Sequence, residues 1–240
     1  MVDFTANQVF VIKTLFPDLG IESQSDLLYQ PNPYVPAVKM PLELFRNALK
    51  YEGRFRASES GHWVVNTGRR SGATTIASYL VRRGLSGNFP DVYYTGHNRD
   101  CANMLLDNID PEFRSGVKER IIPSNPDRYR GMDLRGAYLI IDNASFHRDL
   151  DGILRCAVPA GCRIIMTGIS NGKDAKDAFK GTAFQTHPVV KKGENWTVLS
   201  GAGLIDLSSF ESGVVSPGSM IKFIGESQFK TEFGCGSCAW

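Results

Sequence analysis

The chain has 240 residues, 42% of them hydrophobic, enough to bury a sizeable core and simplest to read as one large α/β domain. Its 27 Lys and Arg stand against 25 Asp and Glu, so bulk charge selects no partner and any nucleic-acid contact must come from a local basic patch. No apolar run reaches about 18 residues, and the first residues lack a basic segment leading into a hydrophobic one. Together these argue against membrane insertion and secretion and for a cytosolic protein.

Residues 1–40 carry Pro17, Pro31, Pro33 and Pro36 among polar spacers, which predicts an extended N-terminal arm holding one short helix from about Gln8 to Phe16. The arm reads as a partner-binding or oligomer-clasping segment or, more plainly, as a wrap over the surface. Residues 41–240 form the main unit. It opens with Pro41 at a first helical position, followed by Leu42, Phe45 and Leu49 at helical spacing.

His62 to Asn66 reads as a short buried strand and Thr74 to Arg83 as the helix after it. Asp91 to Thr95 is a second strand, followed by a helix from Asn98 to Ile109 with Ala102, Leu105, Leu106 and Ile109 on one face. Ala137 to Asp142 is a third strand, apolar until its final carboxylate, and Gly161 to Thr167 a fourth. Lys173 to Lys180 suits a solvated helix, with shorter strands around Trp196 to Leu199 and Met220 to Ile224. Near-continuous apolar strands alternating with helices predict a mostly parallel sheet covered on both faces.

The loop between the first strand and its helix, Thr67-Gly68-Arg69-Arg70-Ser71-Gly72-Ala73-Thr74-Thr75, has the outline of a phosphate-binding loop. In such a loop backbone N–H groups and a helix N-terminus surround the phosphates, a lysine reaches the outer oxygens, and a hydroxyl meets magnesium. Gly72 supplies the tight turn and Thr74 the hydroxyl. Registered on Gly72, Thr67 occupies the first glycine position and Ala73 the lysine position. A small-residue turn of this kind also arises for structural reasons alone. Arg69 and Arg70 offer guanidinium groups in place of the missing ammonium, or else face solvent or DNA phosphates.

Asp142, at the end of an apolar strand, stands where a magnesium-ordering acid belongs at the edge of a parallel sheet. The next residue, where a glutamate would activate water, is Asn143, which orients water but cannot take its proton. Glu112, Glu119, Asp133 and Asp149 are other carboxylates, none within a motif. The fourth strand ends in Thr167-Gly168, a position suited to sensing a terminal phosphate or simply to closing a buried strand. Five cysteines (Cys101, Cys156, Cys162, Cys235 and Cys238) lack framework spacing and read as reduced thiols. Cys235-Gly236-Ser237-Cys238 has the spacing of half a zinc site or a redox pair, but His62, His97, His147 and His187 are scattered singly, and the plainer reading is a structurally incidental pair.

Loop, acid strand and Thr-Gly strand, in this order, resemble the ATPase domain of the large terminase subunit, the DNA-packaging motor of tailed bacteriophages and related viruses. The helix from Pro41 to Lys50 looks like the family's stretch ahead of the nucleotide loop, near the adenine site, and Thr67 to Thr75 like its arginine-containing loop, with Arg69 at the loop arginine. Arg130 to Phe146 is similar to the family's run from an Arg-Gly turn into the acid strand. Ile164 to Ser170 resembles the coupling motif, and Ile224 to Cys235 the segment that closes the domain.

The resemblance implies a P-loop NTPase-type α/β fold with helices on both faces. It implies that ATP binds through Gly68, Arg69, Arg70, Ser71, Gly72, Ala73, Thr74 and Thr75, with Mg²⁺ at Thr74 and Asp142. Arg69, Asp142, Asn143 and Thr167 take the catalytic positions. The implied partners are double-stranded DNA, further copies in a homo-oligomeric ring, a portal, and a small terminase subunit or separate nuclease subunit, with no membrane, in the host cell cytoplasm. Arg128, Arg130 and Arg135 are candidate DNA contacts. Ala73 and Asn143 depart from the family pattern and put hydrolysis in question, and the chain stops where terminases continue into a nuclease. Two alternatives follow: a non-catalytic structural or regulatory virion protein that keeps the fold, and a helicase-type ATPase unrelated to packaging, which leaves the closing segment unexplained.

Overall fold

A computed structural model describes residues 4–21, 26–29, 38–68, 71–168, 190–191, 194–195, 199, 201–207 and 217–227. Helix α1 (Ala6–Leu15) starts on a capping box, the Thr5 side chain accepting from Gln8 N and the Gln8 side chain from Thr5 N. Strands β1 (Asp26–Tyr29) and β2 (Val38–Pro41) pair antiparallel and lead into α2 (Leu42–Tyr51), with Pro41 as its N-cap and not its first helical residue.

The central sheet has six strands: β3 (Phe55–Arg56), β4 (Trp63–Asn66), β5 (Val92–Gly96), β6 (Tyr138–Asp142), β7 (Arg163–Gly168) and, beyond the two-residue pair β8 (Val190–Lys191) and β9 (Glu194–Asn195), β10 (Gly203–Asp206). Their order is β3-β10-β4-β7-β6-β5, with β3 antiparallel at one edge and the other five parallel. Between them run α3 (Ala73–Gly84), α4 (Arg99–Asp107), α5 (Arg114–Glu119) and α6 (Leu150–Ala157), and α7 (Pro217–Ile224) follows the sheet.

Because side chains alternate across a strand, the all-apolar strands feed two separate cores. On one face Val65, Tyr94, Ile140, Ile165 and Ile205 pack with Phe10, Phe45, Leu49, Leu80 and Leu105 from the helices α1 to α4. On the other, Val64, Leu139, Ile141, Ile164 and Met166 pack with Ile153, Leu154 and Ala157 of α6. Each fully buried side chain of this kind contributes about 1.5–3 kcal/mol. β10 lies so close to β4 that a Cβ on Gly203 would collide with the Trp63 ring. At that edge buried Arg54 pairs with Glu52 at 3.0 Å and donates from Nε to the Asp206 carbonyl at 3.1 Å.

Three expectations change. The short helix of the N-terminal segment does not wrap the surface: Phe10, Val11 and Ile12 are buried, Phe10 edge-on to Phe45 at 5.2 Å, because α1 is apolar nearly all round. Met220 to Ile224 is helical, part of α7, and Leu199 lies outside any strand, while the fifth parallel strand is Gly203–Asp206. The anticipated helix at Lys173 to Lys180, and Trp196 to Thr197 with Val198, fall outside the described residues, as do His187, Cys235 and Cys238.

Candidate functional site

The carboxyl ends of β4, β7, β6 and β5 open into one cleft of about 710 Å³, the position where open parallel sheets bind ligands. Gly68, Ser71, Gly72, Ala73, Thr74 and Thr75 line it from the loop side, and Asp142, Asn143 and Gly168 from the floor. Arg69 and Arg70 lie outside the described residues.

Strand β4 is fixed at its end by Asn66 Nδ2 donating to Asp206 Oδ1 at 2.7 Å. The chain then turns back, Ser71 Oγ donating to the Gly68 carbonyl at 2.9 Å, and enters α3 through Gly72 in the left-handed region, φ 84° and ψ 30°. Ile76 N is the first amide to bond back into the helix, onto Gly72 O, so the amides of Ala73, Thr74 and Thr75 carry the positive end of the helix dipole into the cleft. Ala73 is the first residue of α3 and brings only a methyl group to the cleft.

The loop is held from behind by α1. Gln8 Nε2 donates to the Ser71 carbonyl at 3.3 Å, and any Cβ on Gly72 would strike that Gln8 amide. Among the described residues none of α2 lines the cleft, and the upstream helix that contacts the loop is α1.

Asp142 is 2% exposed and ringed by donors. Thr167 Oγ1 donates to Oδ1 at 2.6 Å, Asn143 N to Oδ1 at 3.0 Å, Tyr94 OH to Oδ2 at 2.8 Å, and Thr74 Oγ1 to Oδ2 at 3.3 Å. The inserted strand β7 explains the set: it lies between β4 and β6 and delivers Thr167 against the acid. Burial, reinforced by the Asp142 charge, pushes the Tyr94 phenol far above its ordinary range, so it remains a donor. Among the described residues no cation pairs with this carboxylate. A buried acid served by neutral donors, with the Thr74 hydroxyl already beside it, fits a divalent cation; Asp142 and Thr74 would hold it, and it would neutralise charge on a bound phosphate.

Asn143 has φ 54°, the left-handed region, and its amide Nδ2 donates to Cys101 Sγ at 3.6 Å. Cys101 Sγ in turn lies 3.2 Å from His97 Nδ1. His147 braces the floor: its Nε2–H donates to the Asp142 carbonyl at 3.0 Å, and Nδ1 accepts from Ser124 Oγ at 2.7 Å. Burial holds that imidazole below its ordinary pKa and therefore neutral.

Several side chains singled out by sequence lie elsewhere. Glu112, Glu119, Asp133 and Asp149 do not line the cleft; Asp149 caps α6 through Gly152 N at 2.8 Å, and Asp133 is tied to Arg135 at 2.6 Å, which holds its carboxyl down at about 2. Arg130 pairs with Asp127 at 3.4 Å, whereas Arg128 is exposed and meets no carboxylate among the described residues. Sequence reasoning missed Gln8, Tyr94, His97 and Cys101, which no motif marks.

No protein-family model matches the sequence, and no curated protein matches it. Two solved structures of the Thermus phage P74-26 large terminase ATPase domain, one of them a mutant, superpose with TM-scores of 0.52 and 0.50. They are 14% and 15% identical to this chain and cover 72% of it and 87% of their own length. The fold is that of a large terminase ATPase domain. In this terminase-type fold the strand bearing the loop and the strand bearing the acid are separated by one inserted strand, which is how Thr74, Asp142 and Thr167 converge. No helix among the described residues is long and apolar enough to cross a membrane.

Proposed function

We propose that the chain is a terminase-type ATPase module that binds ATP with Mg²⁺ and takes part in packaging double-stranded viral DNA in the host cytoplasm, as one subunit of a ring. The observation that carries this reading is the convergence of the Thr74 hydroxyl and the Asp142 carboxylate under a glycine-entered helix N-terminus, within a fold shared with a terminase ATPase domain. Gly68 and Ser71 to Thr75 enclose the phosphates, Thr74 and Asp142 hold the metal, and Thr167 relays the state of the acid into β7. Arg69 and Arg70 supply positive charge in place of the absent lysine. DNA, a portal, and a small terminase or nuclease subunit are the partners of this reading, with Arg128 the favoured DNA contact.

Hydrolysis in this module is slow or depends on partners. Ala73 brings no ammonium, and Asn143 cannot act as general base, a role that contributes about 10²- to 10⁴-fold in rate. The Asn143 amide is moreover engaged with Cys101.

Titration calorimetry with ATP·Mg²⁺ tests the assignment. The wild-type chain binds; Thr74→Ala weakens the Mg²⁺-dependent part; Gly72→Asp, which must displace Gln8, abolishes binding. Thermal melts of each variant establish that it is folded. Equal affinity in all three would refute the nucleotide site and leave the fold to a non-catalytic virion protein, and brisk turnover by the isolated chain would show that Ala73 and Asn143 are immaterial.

A further inference from the structure

On the side of the cleft away from the loop stands a histidine, His97. It follows β5 directly, is half-buried, and lines the cleft together with Asp142, Asn143 and Phe146. Its ring is 5.5 Å from that of Phe146 and 6.3 Å from that of His147, and its Nδ1 is 3.2 Å from Cys101 Sγ.

The partners of Cys101 decide which way the proton on His97 lies. The sulfur accepts from Asn143 Nδ2 at 3.6 Å and lies at the start of α4, where the Asn98 side chain caps Cys101 N at 3.0 Å. Burial and the neighbouring Asp142 charge push the thiol up, so Cys101 keeps its proton and has one S–H to give. The near acceptor is His97 Nδ1. A neutral imidazole accepting at Nδ1 carries its hydrogen on Nε2. Two of the amides in the cleft have their nitrogens engaged, Asn143 with Cys101 and Asn108 Nδ2 with the Met104 carbonyl at 2.8 Å. Asp100, also in the cleft, is an acceptor and repels phosphate.

The strand order gives that hydrogen a target. Across the sheet the loop sits on β4, Thr167 on β7, Asp142 on β6 and His97 after β5. A phosphate chain that begins in the loop and reaches a cation at Asp142 has its outermost phosphate toward β5. We propose that His97 donates its Nε2–H to the outermost phosphate of a bound nucleoside triphosphate, with Cys101 fixing the tautomer, and so distinguishes triphosphate from diphosphate. This rests on the nucleotide reading above and adds the residue that senses the third phosphate from the side opposite the loop.

The test compares the non-hydrolysable triphosphate AMP-PNP·Mg²⁺ with ADP·Mg²⁺ by calorimetry on the full chain. Hydrogen bonds to charged groups are strong enough that His97→Ala is expected to lose about tenfold to hundredfold in AMP-PNP affinity, with ADP affinity changed by no more than about twofold. His97→Gln, whose amide nitrogen falls near the position of Nε2, retains most of the preference. ¹⁵N NMR of the imidazole shows the Nε2–H tautomer in the wild-type chain and its loss in Cys101→Ala. Equal loss for both nucleotides, no loss for either, or an Nδ1–H tautomer overturns the proposal, as does a His97→Gln variant that keeps both affinities at the His97→Ala level. If the wild-type chain binds neither nucleotide, the underlying reading fails and this assignment falls with it, a pattern distinct from selective loss in the variant.

Discussion

Asn143 sits at φ 54°, a backbone region that asparagine enters more readily than longer side chains. The backbone that follows Asp142 therefore favours an amide over a glutamate, quite apart from catalysis. Asn143→Glu is expected to destabilise the fold by roughly 1–2 kcal/mol while also breaking the contact with Cys101, and urea unfolding measures it. Asn143→Gly keeps the backbone and loses only the side-chain bond, so its cost should be the smaller. Placing a glutamate there to supply the general base that the proposed function lacks would thus cost stability. The motif comparison flagged this residue for its missing carboxylate, but the left-handed turn that selects asparagine is a property of three-dimensional closure and leaves no periodicity to read.

Helix α1 acts on the site through one side chain. Gln8 completes the capping box at Thr5 and reaches across to the Ser71 carbonyl, 63 residues along the chain. Gln8→Ala removes both functions: the lost cap costs about 1 kcal/mol in helix stability, and loosening of Ser71 and Gly72 is expected to weaken ATP·Mg²⁺ binding severalfold in calorimetry. Unchanged affinity would show that the loop holds its shape unaided. The sequence displayed the four parallel strands β4 to β7 and the helices α1 to α4 within one or two residues, because each is an apolar run or a helical period. It did not display β10, whose Gly-Leu-Ile-Asp is too short to separate from a loop, and it read the apolar stretch at Met220 as a strand where a helix forms. Nor did it place α1, because apolar residues on every side of a helix, here Val9 to Ile12, give no single face to assign to the core.

At the scale of the molecule, His62 ties two parts of the sheet together. Its Nδ1 accepts from Ile164 N at 3.0 Å at the start of β7. Burial, aided by the Arg163 charge, lowers its pKa below the ordinary 6.5. The sign follows from proton binding: below pH 6.5 the unfolded chain takes up a proton that the folded imidazole resists, so stability is present above that pH and is lost as pH falls toward the folded value. Melting temperature should therefore decline from pH 7 to pH 5, and His62→Gln should flatten that decline. Of the site, loop, acid and hydroxyl strand were legible as an ordered trio. Their convergence was not, because it depends on β7 entering between β4 and β6, a matter of sheet order on which strand composition is silent.

The isolated charge of Asp142 has a last consequence. Four neutral donors surround a carboxylate that is almost dry, and such a group is more easily tolerated as its uncharged amide. Asp142→Asn should therefore melt later than the wild-type chain in thermal denaturation, while losing the Mg²⁺ response that the proposed site predicts. The carboxylate is thus a cost to the fold by itself, and its charge is the property on which the proposed metal site depends.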